Sequence, residues 1–436
     1  MREKLWTRDF TIITLGTVVS MLGNAMSGFA ISILVLDYTG STFLFALFMV
    51  VYNLPKIIMP VLSGPYLDKF SRKKIIYTLD FISSGLYFAT FLMLKYETFN
   101  YASLLIAAAL FGAVDSVYQV AYDSLYPNLV SKGNYSRAYS VSSFIYPLST
   151  AMVPVTVVIY NTVGAAPIFI VNSVSFLIAA VFETQIKVKE KHSGHVAERY
   201  DVKSYIRDFR EGVRYIAKQQ GILAITTYFC ISMFCDATFS TLVLPYFKSA
   251  PQLAEPLIGY LMTSSKGADF LAKFLNKGQG VSELLYTAVM AFSVVGRMIG
   301  GALHYRRQFS ASKKFSVACF VAVIINILEG IVLFLPLKWM MASMFVAGIF
   351  GVTSYNLRIS STQSFIPDSH RARFNGAYTM ICTLGGIVGQ LAVGAVAEVL
   401  PIREVVLVFA AANLYAAFAV MVANAKHIKP IYNRTV

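Results

Sequence analysis

Charged residues are scarce in this chain. Asp, Glu, Lys and Arg make up 14% of its 436 residues, against about 25% in soluble domains. Hydrophobic residues make up 57%, and they fall in runs of about twenty, the length that a helix needs to cross a bilayer. Because a soluble core cannot bury so much apolar surface, the composition predicts an all-α membrane protein.

Residue types that bind metals or catalyse reactions are also few. The four cysteines lie inside apolar runs without CxxC spacing, which indicates neither a metal site nor a disulfide framework. The sequence has only five histidines and no HExxH or P-loop string. We therefore expect no metal, no cofactor and no enzymatic activity.

Twelve apolar runs, separated by charged or Pro/Gly-containing breaks, predict twelve transmembrane spans. Spans 1 to 6 are expected at residues 10–36, 42–67, 75–94, 102–129, 138–163 and 167–186. Spans 7 to 12 are expected at residues 222–247, 281–303, 315–335, 339–366, 372–399 and 405–424.

The net charge of +15 by itself would fit a nucleic-acid-binding protein. The positions of the basic residues argue against this. With the N-terminus inside, the inner segments hold 27 of the 37 Lys and Arg residues and the outer loops hold 7. This asymmetry follows the positive-inside rule. We therefore expect a multi-pass protein of the cell (cytoplasmic) membrane, with both termini cytoplasmic and no nucleic-acid partner.

Two long polar segments interrupt the spans. Within 187–220, Phe209, Val213 and Ile216 recur at helical spacing among basic residues. This pattern predicts an amphipathic helix that either tethers the two halves at the inner leaflet or forms a passive solvated linker.

The outer segment 248–280 also has apolar residues at helical spacing. It is either a lid over a cavity or an inert interfacial helix.

The two halves of the chain resemble each other. The strings SILVLDY in span 1 and STLVLPY in span 7 agree at five of seven positions. We predict two pseudo-symmetric six-helix bundles with a binding pocket between them. The predicted domains are an N-terminal bundle (1–186), a cytoplasmic amphipathic linker (187–220) and a C-terminal bundle (221–436) that carries the outer insertion 248–280.

The loop between spans 2 and 3 reads GPYLDKFSRKK and begins at Gly64. Gly64 permits close helix packing, Asp68 can pair with a cation, and the basic run that includes Arg72 and Lys73 stays in the cytosol. This string resembles the G-x-L-x-D-[RK]-x-G-[RK]-[RK] signature of the major facilitator superfamily, with Ser71 replacing its second glycine. The resemblance implies a transporter in which Gly64, Asp68, Arg72 and Lys73 form a conformational gate loop.

Weaker marks resemble the bacterial efflux branch that includes macrolide and siderophore exporters. These marks are Thr39-Gly40-Ser41, Leu54-Pro55, Asp80 and the linker string RDFREGVRYI. They imply proton-driven export of amphipathic small molecules. Two features of the family are missing: Asp115 and Gln119 stand where many drug/proton antiporters carry an Arg, and span 5 lacks the glycine-rich antiporter string.

Ionisable groups inside a membrane are costly, so each is a functional candidate. The candidates are Lys56, Asp80, Asp115, Asp123, Asp236, Arg297, Glu329 and Arg358. The resemblance implies that spans 1, 4, 7 and 10 line the cavity, which selects Asp115, Asp236 and Arg358 as transport and coupling residues. Asp236 either binds a proton or cation or is a hydrogen-bonded structural acid. Arg358 neutralises an acid, binds an anionic substrate or makes a packing ion pair. Asp80 and Asp123 lie nearer the cytoplasmic ends, where we expect them to pair with the basic loops.

Aromatic and polar residues of the spans are candidates for a cavity that takes an amphipathic ligand. They are Asn24, Tyr52, Tyr118, Gln119, Tyr122, Tyr228 and Tyr355. Each of these side chains either contacts the ligand or packs between helices.

The leading hypothesis is therefore a monomeric secondary active transporter, an antiporter that exports a small-molecule substrate in exchange for protons across the lipid bilayer. The alternatives are a lipid or lysolipid translocator, a nutrient uptake carrier, and a transport-dead membrane sensor, because a fold does not fix a function.

Overall fold

A computed structural model provides the structure of the chain. It describes residues 5–59, 71–131, 138, 141, 152–188, 202–253, 255–265, 269, 280–306 and 309–433. All regular secondary structure in these residues is helical, with no strand. The predicted all-α class is therefore confirmed for the described part of the chain.

Four helices of the first half follow the predicted apolar runs to within three residues, and the described second and fifth helices cover part of their runs. They are α1 (Arg8–Thr39), α2 (Thr42–Asn53), α3 (Arg72–Lys95), α4 (Tyr101–Leu129), α5 (Met152–Val163) and α6 (Ala166–Glu183). Helix α1 ends at Gly40, whose φ of 61° is left-handed and whose N–H donates to the Leu36 carbonyl. Glycine adopts this conformation without strain, so it terminates the helix.

The remaining helices begin with the predicted linker helix. They are α7 (Val202–Lys218), α8 (Gln220–Ser249), α9 (Glu255–Met262), α10 (Val281–Arg306), α11 (Lys314–Ile331), α12 (Leu337–Phe365), α13 (Asp368–Ala397), α14 (Ile402–Ala416) and α15 (Ala425–Tyr432). Helix α14 continues into a π-helical turn at Ala417–Val422. The terminal helix α15 was not predicted from the sequence.

Eleven helices in the described residues are long and apolar enough to cross a membrane. Together they make this a multi-pass membrane protein. The predicted fifth span, 138–163, lies partly outside the described residues, and the helix described within it is the shorter apolar helix α5. The count of twelve spans and their arrangement as two six-helix bundles remain predictions.

The chain divides into two compact units. The first comprises Met1–Gly40, Phe48–Lys203 and Ala254–Leu284, and the second comprises Ser41–Leu47, Ser204–Leu253 and Leu285–Val436. This division places most of the outer segment 248–280 with the first unit, whereas the sequence pattern assigns it to the C-terminal bundle. The predicted domain boundaries stay a prediction.

Helix packing in the first unit relies on polar as well as apolar contacts. Ser84 of α3 and Ser173 of α6 each donate a hydrogen bond to the other's backbone carbonyl, at 2.9 and 2.8 Å. Such bonds are useful between membrane helices, where apolar side chains gain little by leaving lipid. They fasten α3 to α6, which carry the buried acids Asp80 and Glu183.

The apolar face of the linker helix α7 packs on protein. Ile216 is buried in a core cluster of the second unit, and Phe209 and Val213 pack against the same cluster. This apolar face is therefore covered by protein side chains, and the proposed tethering of the two halves at the inner leaflet stays a prediction. The exposed face carries Arg207, Arg210 and other basic side chains.

Ion pairs also attach the linker helix to the second unit. Arg373 of α13 contacts Asp208 at 3.1 Å and Glu211 at 2.8 Å. Beside them, Gly212 lies so close to α13 that a Cβ placed there would be 2.3 Å from the Arg373 carbonyl oxygen. These contacts argue against a passive solvated linker.

The N-terminus of α2 is capped by a glutamate from the end of α13. The Ser41 hydroxyl and the Phe43 N–H both donate to Glu398 Oε1, at 2.7 and 2.8 Å. These hydrogen bonds hold the pKa of Glu398 below its ordinary value, because they stabilise the ionised form. Ser41–Leu47 and Glu398 belong to the same unit.

Candidate functional site

Asp115 is paired with a lysine in the first unit. The Lys56 ammonium lies 3.4 Å from the Asp115 carboxylate and 4.2 Å from the centre of the Tyr52 ring. The Tyr52 hydroxyl is itself within hydrogen-bonding reach of Asp115. The structure therefore brings together two residues predicted for the site, Asp115 and Tyr52. The residue between them is Lys56, which the sequence identifies as an intramembrane ionisable group but not as a site residue.

A close approach between helices positions this ion pair. A Cβ on Gly112 of α4 would lie 2.1 Å from the Tyr52 carbonyl oxygen, so only glycine fits at this point. Asp115 lies almost one helical turn beyond Gly112, and Lys56 lies a similar distance beyond Tyr52. The side chains of both acid and base remain partly exposed, at 42% and 36%.

Asn24 belongs to a polar cluster in the first unit. Its Oδ1 accepts hydrogen bonds from the Tyr87 hydroxyl at 2.9 Å and from Asn172 Nδ2 at 3.3 Å. Asn172 also donates to the Ser27 hydroxyl at 2.8 Å. The Tyr87 ring stacks on Phe111, with centroids 4.4 Å apart. The cluster joins α1, α3 and α6, and sequence reasoning missed Tyr87 and Asn172.

The other predicted cavity residues of α4 divide between core and surface. Tyr122 is buried in a core cluster, and Tyr118 packs against that cluster. Tyr118, Tyr122 and Tyr126 form a continuous aromatic stack along α4. Gln119 is exposed and donates to Asp123 at 2.9 Å. This contact replaces the pairing with basic loops that was expected for Asp123.

Asp236 lies in a polar environment in the second unit. Its carboxylate accepts hydrogen bonds from the Ser232 hydroxyl at 3.2 Å and from Asn413 Nδ2 at 3.3 Å. Asn413 also donates to Ser232 at 3.3 Å. Both Asp236 and Ser232 lie on α8, one turn apart, and Asn413 comes from α14. A carboxylate held by neutral donors can exist in either protonation state.

Two further ionisable groups interact electrostatically with Asp236. They are Arg297 of α10 and Glu329 of α11. Asp236, Arg297 and Glu329 thus come from three different helices. The sequence identifies Arg297 and Glu329 as intramembrane ionisable residues, but restricting the site to spans 1, 4, 7 and 10 leaves them out.

Arg358 lies among aromatic rings. Its guanidinium is 4.8 Å from the Tyr378 ring centre, 5.1 Å from Phe229 and 5.3 Å from Tyr355. No carboxylate of the described residues lies within ion-pair distance of Arg358. This surrounding can hold a planar cation by cation–π contacts while leaving its N–H donors available.

The two remaining predicted cavity residues differ in exposure. Tyr228 is 5% exposed and belongs to the core cluster of the second unit. Tyr355 is 53% exposed and lies beside Arg358.

Half of the predicted gate loop lies within the described residues. Lys73 donates from Nζ to the Ile186 carbonyl oxygen at 2.9 Å, and Arg72 is the first residue of α3. Gly64 and Asp68 lie outside the described residues. The described contacts connect the start of α3 to the chain just after α6.

Asp80 does not pair with the basic loops, so that expectation is wrong. It is fully buried, and the charged side chain beside it is Glu183 of α6, which is also fully buried. Sequence reasoning missed Glu183, although an acid within a predicted span was a sufficient signal. In the described residues no group of three or more His, Cys, Asp or Glu side chains is arranged to hold a metal.

Comparisons with known proteins agree with this architecture. A family model described as the Major Facilitator Superfamily matches residues 13–390. The MFS-type transporter YkuC of Bacillus subtilis (strain 168) is 27% identical over 246 residues, 55% of this chain and 56% of that protein, so this match spans just over half of the relative. Macrolide efflux protein A of Streptococcus pyogenes is 21% identical over 304 residues, 68% of this chain and 74% of that protein.

Solved transporters share the fold. The nucleoside transporter NupG superposes with a TM-score of 0.69 at 13% identity, covering 95% of this chain and 99% of NupG. A bacterial homologue of the iron transporter ferroportin, in its inward-facing state, gives a TM-score of 0.63 at 15% identity, covering 98% of this chain and 100% of that chain.

Proposed function

Because the chain belongs to the Major Facilitator Superfamily, we propose that it is a secondary active transporter that exports amphipathic small molecules in exchange for protons by alternating access. The observation that carries this proposal is the Asp236 site. An intramembrane carboxyl accepts hydrogen bonds there from neutral donors and interacts electrostatically with one cation, Arg297, and a second acid, Glu329.

Protonation of Asp236 provides a means of coupling. When Asp236 is ionised, its charge offsets that of Arg297 and it accepts both neutral hydrogen bonds. When Asp236 is protonated, it becomes a hydrogen-bond donor and no longer offsets the charge of Arg297. Glu329 or a bound ligand must then offset that charge. The two protonation states therefore favour different arrangements of α8, α10, α11 and α14, as a proton-driven cycle requires.

Asp115 and Arg358 serve the substrate in this proposal. The Lys56–Asp115 pair is partly exposed, so a cationic or polar ligand group can exchange with one partner. Arg358 offers N–H donors within an aromatic surrounding, which suits an amphipathic molecule with a polar or anionic group.

The relatives support export. Macrolide efflux protein A, at 21% identity over 68% of this chain, is an efflux protein by name. A macrolide is a large amphipathic molecule, so a macrolide is the first substrate to test.

The test is transport in proteoliposomes with an imposed pH gradient and a defined protein orientation. We expect macrolide movement against the proton flow in the wild type, and loss of gradient-driven transport in Asp236→Asn. Asp115→Asn should reduce transport. Asp123→Asn, which removes an exposed acid bonded only to Gln119 in the described residues, is the matched control and should retain it.

Other outcomes would separate the alternatives. Normal gradient-driven transport by both Asp236→Asn and Asp115→Asn would show that the coupling residues are wrongly assigned. Transport of a labelled lysolipid but of no macrolide would indicate a lipid translocator, and accumulation in the opposite direction would indicate an uptake carrier. Ligand binding without accumulation would indicate a sensor.

A further inference from the structure

The first unit contains a pair of acids that the proposed transport mechanism does not use. Asp80 of α3 and Glu183 of α6 are both 0% exposed. Their carboxyl groups are within hydrogen-bonding reach of each other. The reciprocal serine bonds between α3 and α6 hold the two helices that carry them together.

Neither acid has a donor to stabilise an ionised form. All four carboxyl oxygens are buried and receive no hydrogen bond from a donor group, and no salt bridge reaches either residue in the described part of the chain. The buried Tyr118 hydroxyl of α4 interacts electrostatically with both acids and lies near the Thr17 hydroxyl of α1. Glycine in α1 completes the enclosure, since a Cβ on Gly16 would lie 3.0 Å from Glu183 Oε1.

Asp80 and Glu183 cannot both be ionised in a buried site to which the described residues bring no hydrogen-bond donor and no cation. Each buried charge without a partner costs several kcal/mol, and two like charges at hydrogen-bond distance repel each other. A single proton removes both problems, because the protonated carboxyl becomes the donor that the other carboxyl lacks. The pair has its hydrogen bond only when it holds that proton.

We propose that Asp80 and Glu183 form a proton-binding site that holds one shared proton at neutral pH. The proton belongs to the pair rather than to either residue. The site is distinct from Asp236, which lies in the other unit and has neutral donors.

The charged groups on neighbouring helices bind elsewhere. At the start of α1, Arg8 donates to the Gln185 side chain at 3.2 Å, and Asp9 accepts from the Lys187 N–H at 3.2 Å. On α3, Lys73 donates to the Ile186 carbonyl.

The acids of α4 also bind partners other than Asp80 and Glu183. Asp115 pairs with Lys56, and Asp123 is exposed and bonded to Gln119. Tyr118 is then the titratable group of α4 that faces the pair. No positive charge of the described residues compensates the acids.

A proton fits this site better than a metal ion does. A hard cation such as calcium needs about six to eight oxygen ligands around a space of its own. The enclosed pair offers carboxyl oxygens and the Tyr118 hydroxyl, whereas a shared proton needs only the two acids. A monovalent cation is nevertheless the rival occupant that the experiment must distinguish.

Infrared spectroscopy of the purified, substrate-free protein tests the proposal. A protonated carboxyl has a C=O stretching band that is separate from the carboxylate bands and shifts in D2O. We expect the wild type to show this band at about pH 7, where exposed acids are ionised. The double variant Asp80→Asn/Glu183→Gln should lose intensity equal to one carboxyl group, and Asp123→Asn should not.

Both replacements are neutral and of nearly the same shape as the protonated acids, so the double variant should fold. If it does not, a titration of the Asp236→Asn variant decides, because that variant lacks the other acid proposed to bind a proton. The band must persist above about pH 5, where exposed Asp and Glu have ionised. Its complete loss together with the exposed acids, or an unchanged band in a folded double variant, would overturn the proposal.

A salt exchange distinguishes the proton from sodium. Replacing choline chloride with sodium chloride at constant ionic strength should leave the wild-type band unchanged. Loss of the band in sodium would mean that the pair binds that cation, and the proposal would then be wrong. These measurements need no substrate, so they stand or fall independently of the transport assay.

Discussion

Single side chains in this protein gain their roles from the partners that the fold gives them. Asp115 alone reads as an isolated intramembrane acid, but in the structure it is half of an ion pair with Lys56. An acid was one expected partner of Arg358, but this side chain lies among three aromatic rings. The sequence places such residues within spans, whereas the rotation of each helix decides what they face.

The Lys56–Asp115 pair gives a prediction at this scale. Lys56→Gln and Asp115→Asn should each destabilise the protein, and the double variant should be less destabilised than the sum of the two. We expect a coupling free energy of about 0.5–1 kcal/mol, because both side chains are partly exposed and the charges are screened. Denaturant or thermal unfolding of all four proteins measures it, and strictly additive effects would contradict the pairing.

Helices in this protein approach closely where glycine permits. Gly112 of α4 touches the backbone of α2 at Tyr52, and Gly212 touches α13 at Arg373. Both contacts lie beside residues with charged partners. The elements are therefore placed by small residues, and the placement in turn brings the ionisable side chains together.

Gly112 provides a prediction at the scale of the element. Gly112→Ala puts a Cβ 2.1 Å from the Tyr52 carbonyl oxygen, so α2 and α4 must move apart. We expect a destabilisation of about 1–3 kcal/mol and weaker gradient-driven transport. The matched control is Gly85→Ala in α3, where a Cβ meets nothing within 4 Å.

The control should be neutral or stabilising by up to about 1 kcal/mol, since alanine favours helix more than glycine does. Comparing the melting temperatures of the two variants separates the contact from the change in helix propensity. Equal effects of the two substitutions would show that the close approach at Gly112 is not needed.

At the scale of the whole molecule, the lipid bilayer sets the length and apolarity of the helices. Eleven helices in the described residues satisfy the length and apolarity of a membrane span, and the chain matches the superfamily model over residues 13–390. The asymmetric distribution of Lys and Arg then predicts which ends of the spans face the cytoplasm.

Topology is the prediction at this scale. In a variant lacking the four native cysteines, a cysteine at Lys218 should be labelled from the cytoplasmic side only. A cysteine at Glu255 should be labelled from the outside only, because one span, α8, separates the two positions. Labelling of both positions from one side would contradict a crossing by α8 and the predicted orientation.

The sequence by itself determined that the protein lies in a membrane, that it is helical, where most spans begin and end, and which family it belongs to. These properties follow from apolar run length, from basic residues in loops, and from a loop motif that does not depend on packing. It also indicated the linker helix, since amphipathic spacing is local.

Only the tertiary structure decided which ionisable groups meet. Lys56 reaches Asp115, Asn413 reaches Asp236, and Asp80 faces Glu183. Each of these contacts joins different helices, and its formation depends on how those helices rotate and approach each other. Composition and periodicity carry little information about that rotation, because membrane helices are apolar on nearly every face.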